Sequence, residues 1–261
     1  METTSVRSVE RAVEILEVIK SKGGETGIST ISRETGLSKS TVFRILNALR
    51  TKGMVVKDDV TDHYSLGQKI IELAFSASMQ WDIISLAMPY LEKLRDSLGE
   101  TAALALRIDK DYSFIAQAMC RHEYRVNPVL GERYCLHWAG TGKAILAFIP
   151  EEEILEMLAL IPAKQATSRT ITDPQKMKEQ ISEIRNQGFA FSFSERIEGG
   201  ASISAPIRDG AGNAQAAVSL IGPEIRFRKL DLNEAGKAVV EAGKQIEMVY
   251  RGAGIKLEKG F

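Results

Sequence analysis

The chain has 261 residues, of which 44% are hydrophobic and 26% charged, and its 34 basic and 34 acidic residues leave no formal net charge. That length suffices for one large or two modest cores, and the zero balance excludes a uniformly basic binder of polyanions, so any nucleic-acid site has to be local. The opening METTSVRSVE holds no apolar signal-peptide core, and no apolar run approaches the roughly 18 residues that span a bilayer. A cytoplasmic protein with no membrane partner is expected, its two cysteines, Cys120 and Cys135, too few for a disulfide framework and therefore reduced.

Val9, Ala12, Val13, Leu16 and Ile19 recur at helical spacing and predict a first helix from about Ser8 to Lys20, stopped by Gly23 and Gly24. A short second helix is expected over Ser29 to Thr35. Gly36 then supplies a turn and Ser38 an N-cap for a third helix, whose Val42, Ile45, Leu46 and Leu49 fall at i, i+3, i+4 and i+7 and so gather on one buried face. This order is that of a helix-turn-helix. GMVVKDDVTDHYSL reads as strand, polar turn and returning strand, a wing. From Gln68 to about Trp81 helical spacing resumes.

A further helix from Ser85 carries Leu91, Leu94 and Leu98, and TAALALRI and YSFIAQAM read as strands. Helices are expected near Gly142 to Phe148, over Glu152 to Leu160, and from an N-cap at Thr172 through Pro174 to Gly188. Strands follow at FAFSF, SISAPI and AQAAVSLI, the last two joined by the turn RDGAGN, before a terminal helix from about Leu232 to Tyr250. A largely antiparallel sheet mixed with helices is an α+β pattern.

The surface left free by the third helix carries Lys39, Ser40, Thr41, Phe43, Arg44 and Asn47. From Arg33 to Lys57 six basic residues face the single acid Glu34, a local charge of +5. A solvated amphipathic face is the simpler reading of one helix. Three helices, a wing and this local charge fit a DNA reader whose recognition helix enters the major groove N-terminus first. Lys39 and Arg44 then suit guanine edges or phosphates, Ser40 and Thr41 phosphates, and Asn47 adenine. Phe43 is either a rim residue of the core or a contact to a thymine methyl or sugar.

Two constellations suggest other chemistry. AGTGKAIL resembles a phosphate loop, but His137 stands where its first glycine belongs and Ala144 where the magnesium-binding hydroxyl belongs. A glycine-rich helix start remains, whose free amides suit a carboxylate. Cys120 and His122 with Cys135 and His137 could supply four zinc ligands, or could be polarisable residues on two separate strands; their spacing is not that of usual zinc motifs. The serines at 192, 194, 202, 204 and 219 have none of the chain's three histidines near them in sequence, which disfavours a hydrolase. No catalytic, metal-binding or cofactor assignment is made.

The segments SVERAVEILEVI, GLSKSTVFRILNALRTKGMV, HYSLGQKIIELA, GERYCLHWAGTGKAILAF, TITDP, IRNQGFAFSFSERIEGGASISAPIRD and SLIGPEIRF, in this order and spacing, resemble the IclR family of bacterial transcription regulators over nearly the whole chain. The resemblance implies an N-terminal winged helix-turn-helix (1–66), a linker helix (67–84) and a C-terminal effector-binding domain with a GAF-like, profilin-like sheet (85–261). It further implies a dimer, or a dimer of dimers forming a homotetramer, on double-stranded operator DNA, repressing or activating catabolic genes. Carried over by resemblance, a small organic acid effector meets the amides of Gly140 and Thr141 and the side chains of Ser192, Ser202, Ser219 and Ile221. Relatives often have an acid, a cysteine, a serine and a serine at the last four positions, and EGGAS stands here for EGxRC. With Ile221, and by strand alternation or resemblance Met119, Phe191 or Trp138, at one end, the pocket suits an aromatic or medium-sized monocarboxylate better than a glyoxylate-sized ligand. Small serines packed beneath a helix are the other explanation. The linker's Ile70, Ile71, Leu73, Ala74, Phe75 and Trp81 exceed what a small winged domain buries, which suggests a partner chain. The alternative function is a small-molecule-binding enzyme with an accessory DNA-binding domain, distinguished by turnover of the bound ligand.

Overall fold

A computed structural model describes residues 6–23, 25–79, 83–160 and 165–252, the side chains of 74–79 excepted. The chain divides into two compact units, 1–81 and 82–261. The expected apolar contributions of Ala74, Phe75 and Trp81 lie outside the described residues.

The first unit holds helices α1 (Arg7–Ser21), α2 (Ile28–Thr35) and α3 (Lys39–Thr51), the hairpin β1 (Val55–Lys57) and β2 (Tyr64–Leu66), and helix α4 (Gln68–Met79). Its core is built from one face of each piece: Ile15 and Ile19 of α1, Ile31 of α2, Val42, Leu46 and Leu49 of α3, and Val55 and Tyr64 of the hairpin. The α2–α3 turn is made by Gly36 in the left-handed conformation (φ 68°), while the Ser32 hydroxyl donates to the Leu37 carbonyl at 2.6 Å. Where the hairpin gives way to α4, Gly67 lies so close to the wing that a Cβ would come within 2.2 Å of the Gly53 carbonyl oxygen. Its own amide donates to the Met54 carbonyl at 2.8 Å, which fixes the start of α4 against the wing.

The second unit runs α5 (Ile83–Leu98), β3 (Thr101–Ile108), β4 (Asp111–Ala118), β5 (Arg133–Cys135), α6 (Ala139–Leu146), α7 (Glu151–Leu160), α8 (Pro174–Gln187), β6 (Ala190–Phe193), β7 (Gly200–Arg208), β8 (Ala214–Pro223), α9 (Glu224–Phe227) and α10 (Leu232–Gly252). The six strands form one antiparallel sheet in the order β5-β4-β3-β8-β7-β6. Helices α5 and α10 pack against each other and against β3, β4, β7 and β8, while α6 packs on β6, β7 and β8. Every residue of β8 is buried, as a strand covered on both faces requires. The core beneath α6, α7 and α8 joins Tyr112, Phe114 and Tyr134 of the sheet to Ile145, Leu146, Met157, Met177 and Ile181 of the helices. No helix among the described residues is long and apolar enough to cross a membrane.

Three local expectations need correction. Helix α8 is capped by Asp173, not Thr172: the Asp173 carboxylate accepts from the Gln175 amide at 2.8 Å and Pro174 fills the first helical position. Helix α6 begins at Ala139, three residues before the expected Gly142. The short strand β5 and the single-turn helix α9 were not anticipated; three and four residues carry no periodicity.

Candidate functional site

On α3 the expected face is free. Ser38 caps the helix, its hydroxyl accepting from the Thr41 amide at 3.3 Å and lying 3.0 Å from the Ser40 hydroxyl. Lys39, Ser40 and Arg44 are exposed and Thr41 and Asn47 half-buried, all clear of the buried Val42, Leu46 and Leu49. Phe43 is 49% exposed, so it belongs to this face and not to the core. Burial leaves the charges of the segment in two groups. Lys22 and Arg33 share Glu34, and Lys57 pairs with Asp62. Lys39, Arg44, Arg50 and Lys52 have no carboxylate partner among the described residues, so α3 and its C-cap present a local positive charge. Beyond them the wing turn carries Asp58, Asp59 and Asp62; Asp58 accepts from the amides of Val60 and Thr61, and the Thr61 bond first, then the Val60 bond, holds its carboxyl below the usual range.

The second unit contains a narrow cleft between α6 and the β6–β7–β8 end of the sheet. Strand register explains its make-up. Ser192, Ser202 and Ile221 stand opposite one another across β6, β7 and β8 and form one row of neighbouring side chains. All three line the cleft, with Thr141 and Ala139 of α6, Phe114, Val126, Gly200, Ala201, and Arg196 and Ile197 of the β6–β7 connection. Ala190, Ser204 and Ser219 form the next row. There the Ser219 hydroxyl is bonded to the Thr141 hydroxyl at 2.9 Å and is fully buried, so it supports α6 and does not line the cleft. Gly140 is pressed against β7: its amide donates to the Ser202 hydroxyl at 3.1 Å, and a Cβ would lie 2.9 Å from that same oxygen. The cavity volume is about 20 Å³, room for little more than one water.

Aromatic rings make the wall behind. Tyr112, Phe114 and Tyr134 meet with centroids 5.5 to 5.9 Å apart. The Arg196 guanidinium lies 4.8 Å over the Tyr134 ring, whose hydroxyl donates to Glu132 at 2.9 Å. Burial, then that bond to Glu132, pushes the Tyr134 phenol up to about 12, Arg196 acting against both. Burial also raises Tyr112, whose hydroxyl lies beside Thr141 yet makes no hydrogen bond of normal geometry.

The structure brings together Thr141, Ser192, Ser202 and Ile221 of the expected pocket, and places Gly140 behind it. Met119 is 48% exposed just past the end of β4 and lies outside the cleft lining, as do the half-buried Trp138 and the exposed Phe191. Chain alternation placed Met119 inward, but β4 ends at Ala118. Residues missed by sequence reasoning are Phe114, Val126, Ile197 and above all Arg196, a cation in the connection between two serine-bearing strands. The lysine of AGTGKAIL is also accounted for: Lys143 is 1% exposed and its ammonium binds Glu195 at 2.7 Å and Gln180 at 3.2 Å. Cys135 pairs across from Asp111 at the start of β4 whereas Cys120 follows its end, so the two Cys-x-His pairs sit at opposite ends of that strand. Among the described residues no group of three or more His, Cys, Asp or Glu side chains is placed to hold a metal ion.

A winged helix-turn-helix with unpaired cations on its third helix, in a chain whose other unit is an α+β domain with a lined cleft, defines a DNA-binding transcription regulator with a separate effector domain. The chain belongs to the IclR family: residues 8–59 match the IclR helix-turn-helix domain and residues 75–248 the C-terminal domain of bacterial transcriptional regulators of the IclR type. It is 31% identical to the HTH-type transcriptional regulator BhcR of Paracoccus denitrificans, over 92% of this chain and 86% of that one. It is 27% identical to the transcriptional repressor IclR of Escherichia coli, over 96% and 92%. A crystal structure of an IclR homolog from Microbacterium hydrocarbonoxydans, complexed with 4-hydroxybenzoate, has the same fold (TM-score 0.82, 22% identity, 94% of this chain and 99% of that one). Such relatives are transcription regulators and not enzymes.

Proposed function

We propose that this regulator binds operator DNA through Lys39, Ser40, Thr41, Phe43, Arg44 and Asn47 and is controlled by a small organic acid bound in the cleft lined by Thr141, Ser192, Ser202 and Ile221. Residues 1–66 read DNA, 67–84 link, and 85–261 bind the effector, in a cytoplasmic protein that governs catabolic genes. The observation that carries the effector reading is the mixed character of the cleft, whose lining combines the hydroxyls of Ser192, Ser202 and Thr141 with the apolar Phe114, Val126 and Ile221. The apolar residues suit an aromatic or medium-sized body, and the 4-hydroxybenzoate in the Microbacterium homolog is of that class. The protein acts as a two-fold dimer on a palindromic or pseudo-palindromic site, because its first unit exposes Val6 just before α1, Val9 and Val13 on α1, and Ile71 (69% exposed) and Leu73 on α4.

Calorimetry with benzoate, 4-hydroxybenzoate, glyoxylate and pyruvate, followed by DNA titrations in the presence of each acid bound, tests the proposal. The aromatic acids are expected to bind more tightly and to change DNA affinity. Tight binding of the keto acids alone, or chemical turnover of a bound acid, contradicts it.

A further inference from the structure

Of the two amides first expected to receive the effector's negative charge, that of Gly140 donates to the Ser202 hydroxyl. The Thr141 hydroxyl is bonded to that of Ser219 in the sheet beneath. Elsewhere in the unit, Arg95 pairs with Asp96, Arg107 with Glu153, Arg169 and Arg228 with Glu224, Arg185 with Glu151, Arg226 with Glu100 and Arg251 with Glu247. Arg121, Arg125, Arg133 and Arg208 have no ion pair among the described residues, and none of them lines the cleft. Arg196 differs in position. It lines the cleft, is only partly exposed, stacks on Tyr134, and among the described residues has no carboxylate within ion-pairing distance. The acid next to it in sequence, Glu195, is turned inward and committed to the buried Lys143.

We propose that Arg196 is the residue that recognises the effector's carboxylate, and that the acid lies with its charge on this guanidinium and its apolar body against Phe114, Val126, Ile197 and Ile221. The inference rests on the organic-acid reading of the cleft. A guanidinium offers a planar fork of donors that matches a carboxylate in a bidentate pair, and stacking on an aromatic ring holds that fork in place before the ligand arrives. The buried Tyr112 hydroxyl, beside Thr141 and within the field of Arg196, is a second donor without a protein acceptor of normal geometry. A cavity of about 20 Å³ is too small for a benzoate-sized acid, so binding requires the lining to give way. The residues just before Arg196 are held from outside the strand: the Thr167 hydroxyl donates to the Ser194 carbonyl at 2.6 Å and the Thr170 hydroxyl to the Glu195 carbonyl at 2.6 Å.

The test is calorimetry of the full chain and its Arg196→Met and Arg196→Lys variants with benzoate, 4-hydroxybenzoate, glyoxylate and pyruvate, with thermal melts of the unliganded proteins. Arg196→Met is expected to weaken binding of the acid preferred by the unmodified chain by about 10- to 100-fold. Arg196→Lys, which keeps the charge and loses the fork, is expected to fall between the two, with all three melting alike. Equal affinity of Arg196→Met and the unmodified chain overturns the assignment and leaves the organic-acid reading intact, and so does an equal loss in both variants, since charge would then not be what binds. Failure of the unmodified chain to bind any of the four acids overturns the organic-acid reading and this inference with it.

Discussion

The buried Lys143–Glu195 pair joins the helix that roofs the cleft to the segment that carries Arg196, and its energetics can be worked from its surroundings. Lys143 is 1% exposed and its ammonium has two acceptors, the Glu195 carboxylate at 2.7 Å and the Gln180 amide oxygen at 3.2 Å. Glu195→Ala leaves a buried cation with one neutral acceptor, and removing one partner of a buried pair costs about 3 to 5 kcal/mol. Glu195→Gln keeps a neutral acceptor near the ammonium, so the loss is about 1.5 to 3 kcal/mol, the worth of a hydrogen bond to a charged group. The double variant Lys143→Met/Glu195→Leu removes both charges and with them the Glu195 Oε2 that has no partner, so it falls within about 1 kcal/mol of the unmodified protein. The assay is urea denaturation followed by Trp138 fluorescence in a Trp81→Phe background, since the chain has only these two tryptophans. A cost below about 1 kcal/mol for Glu195→Ala, or a double variant that loses the sum of the two single losses, would refute the reasoning.

Gly140→Ala drives a Cβ to 2.9 Å from the Ser202 hydroxyl and 3.2 Å from the carbonyl oxygens of Ala190 and Ser202; overpacking of this kind costs about 1 to 3 kcal/mol in urea denaturation, and acid binding in the cleft weakens with it. Asp59, exposed in an acidic wing turn and without an ion-pair partner among the described residues, repels phosphate, so Asp59→Asn raises DNA affinity at low salt and the gain fades as salt is added, readable by fluorescence titration. The Glu224 carboxyl is held below its ordinary value of 4.5 by its bond from Ser194 first and then by Arg228. A carboxylate with a depressed pKa stabilises the fold above its unfolded pKa and loses that contribution as pH falls through the folded value, so urea midpoints measured from pH 6 to pH 3 drop below about pH 4.5. Glu224→Gln flattens that decline.

Much of the first unit was legible because its signals are local. The i, i+3, i+4, i+7 spacing of Val42, Ile45, Leu46 and Leu49 fixes which side of α3 is buried, and the opposite side follows without further information. Only Phe43 was ambiguous, since an aromatic ring beside the stripe fits either rim or solvent until its exposure is seen. The cleft was legible in part. Period-two alternation places Ser219 and Ile221 on one face of β8, but which of them meets the cleft depends on the register against β7 and on where α6 begins. That register puts Ile221 opposite Ser202 and Ser219 opposite Ser204, beneath Thr141. Arg196 and the Lys143–Glu195 pair were not legible at all. Their roles come from contacts between residues 52 positions apart in one case and from an arginine stacking on a tyrosine of a distant strand in the other.

The central claim, that α3 reads DNA sequence, is tested most directly by selection from a pool of random-sequence duplexes with the unmodified chain, followed by titration of the selected duplex with Arg44→Ala and Lys39→Ala at several salt concentrations. Enrichment of a palindromic or pseudo-palindromic motif is expected. Arg44→Ala should weaken binding to it by about 1 to 3 kcal/mol if it reads a base, and Lys39→Ala should lower the salt slope by about one if it holds a phosphate. No enrichment above the starting pool, or unchanged affinity and slope in both variants while they remain folded, would contradict the placement of this helix in the groove.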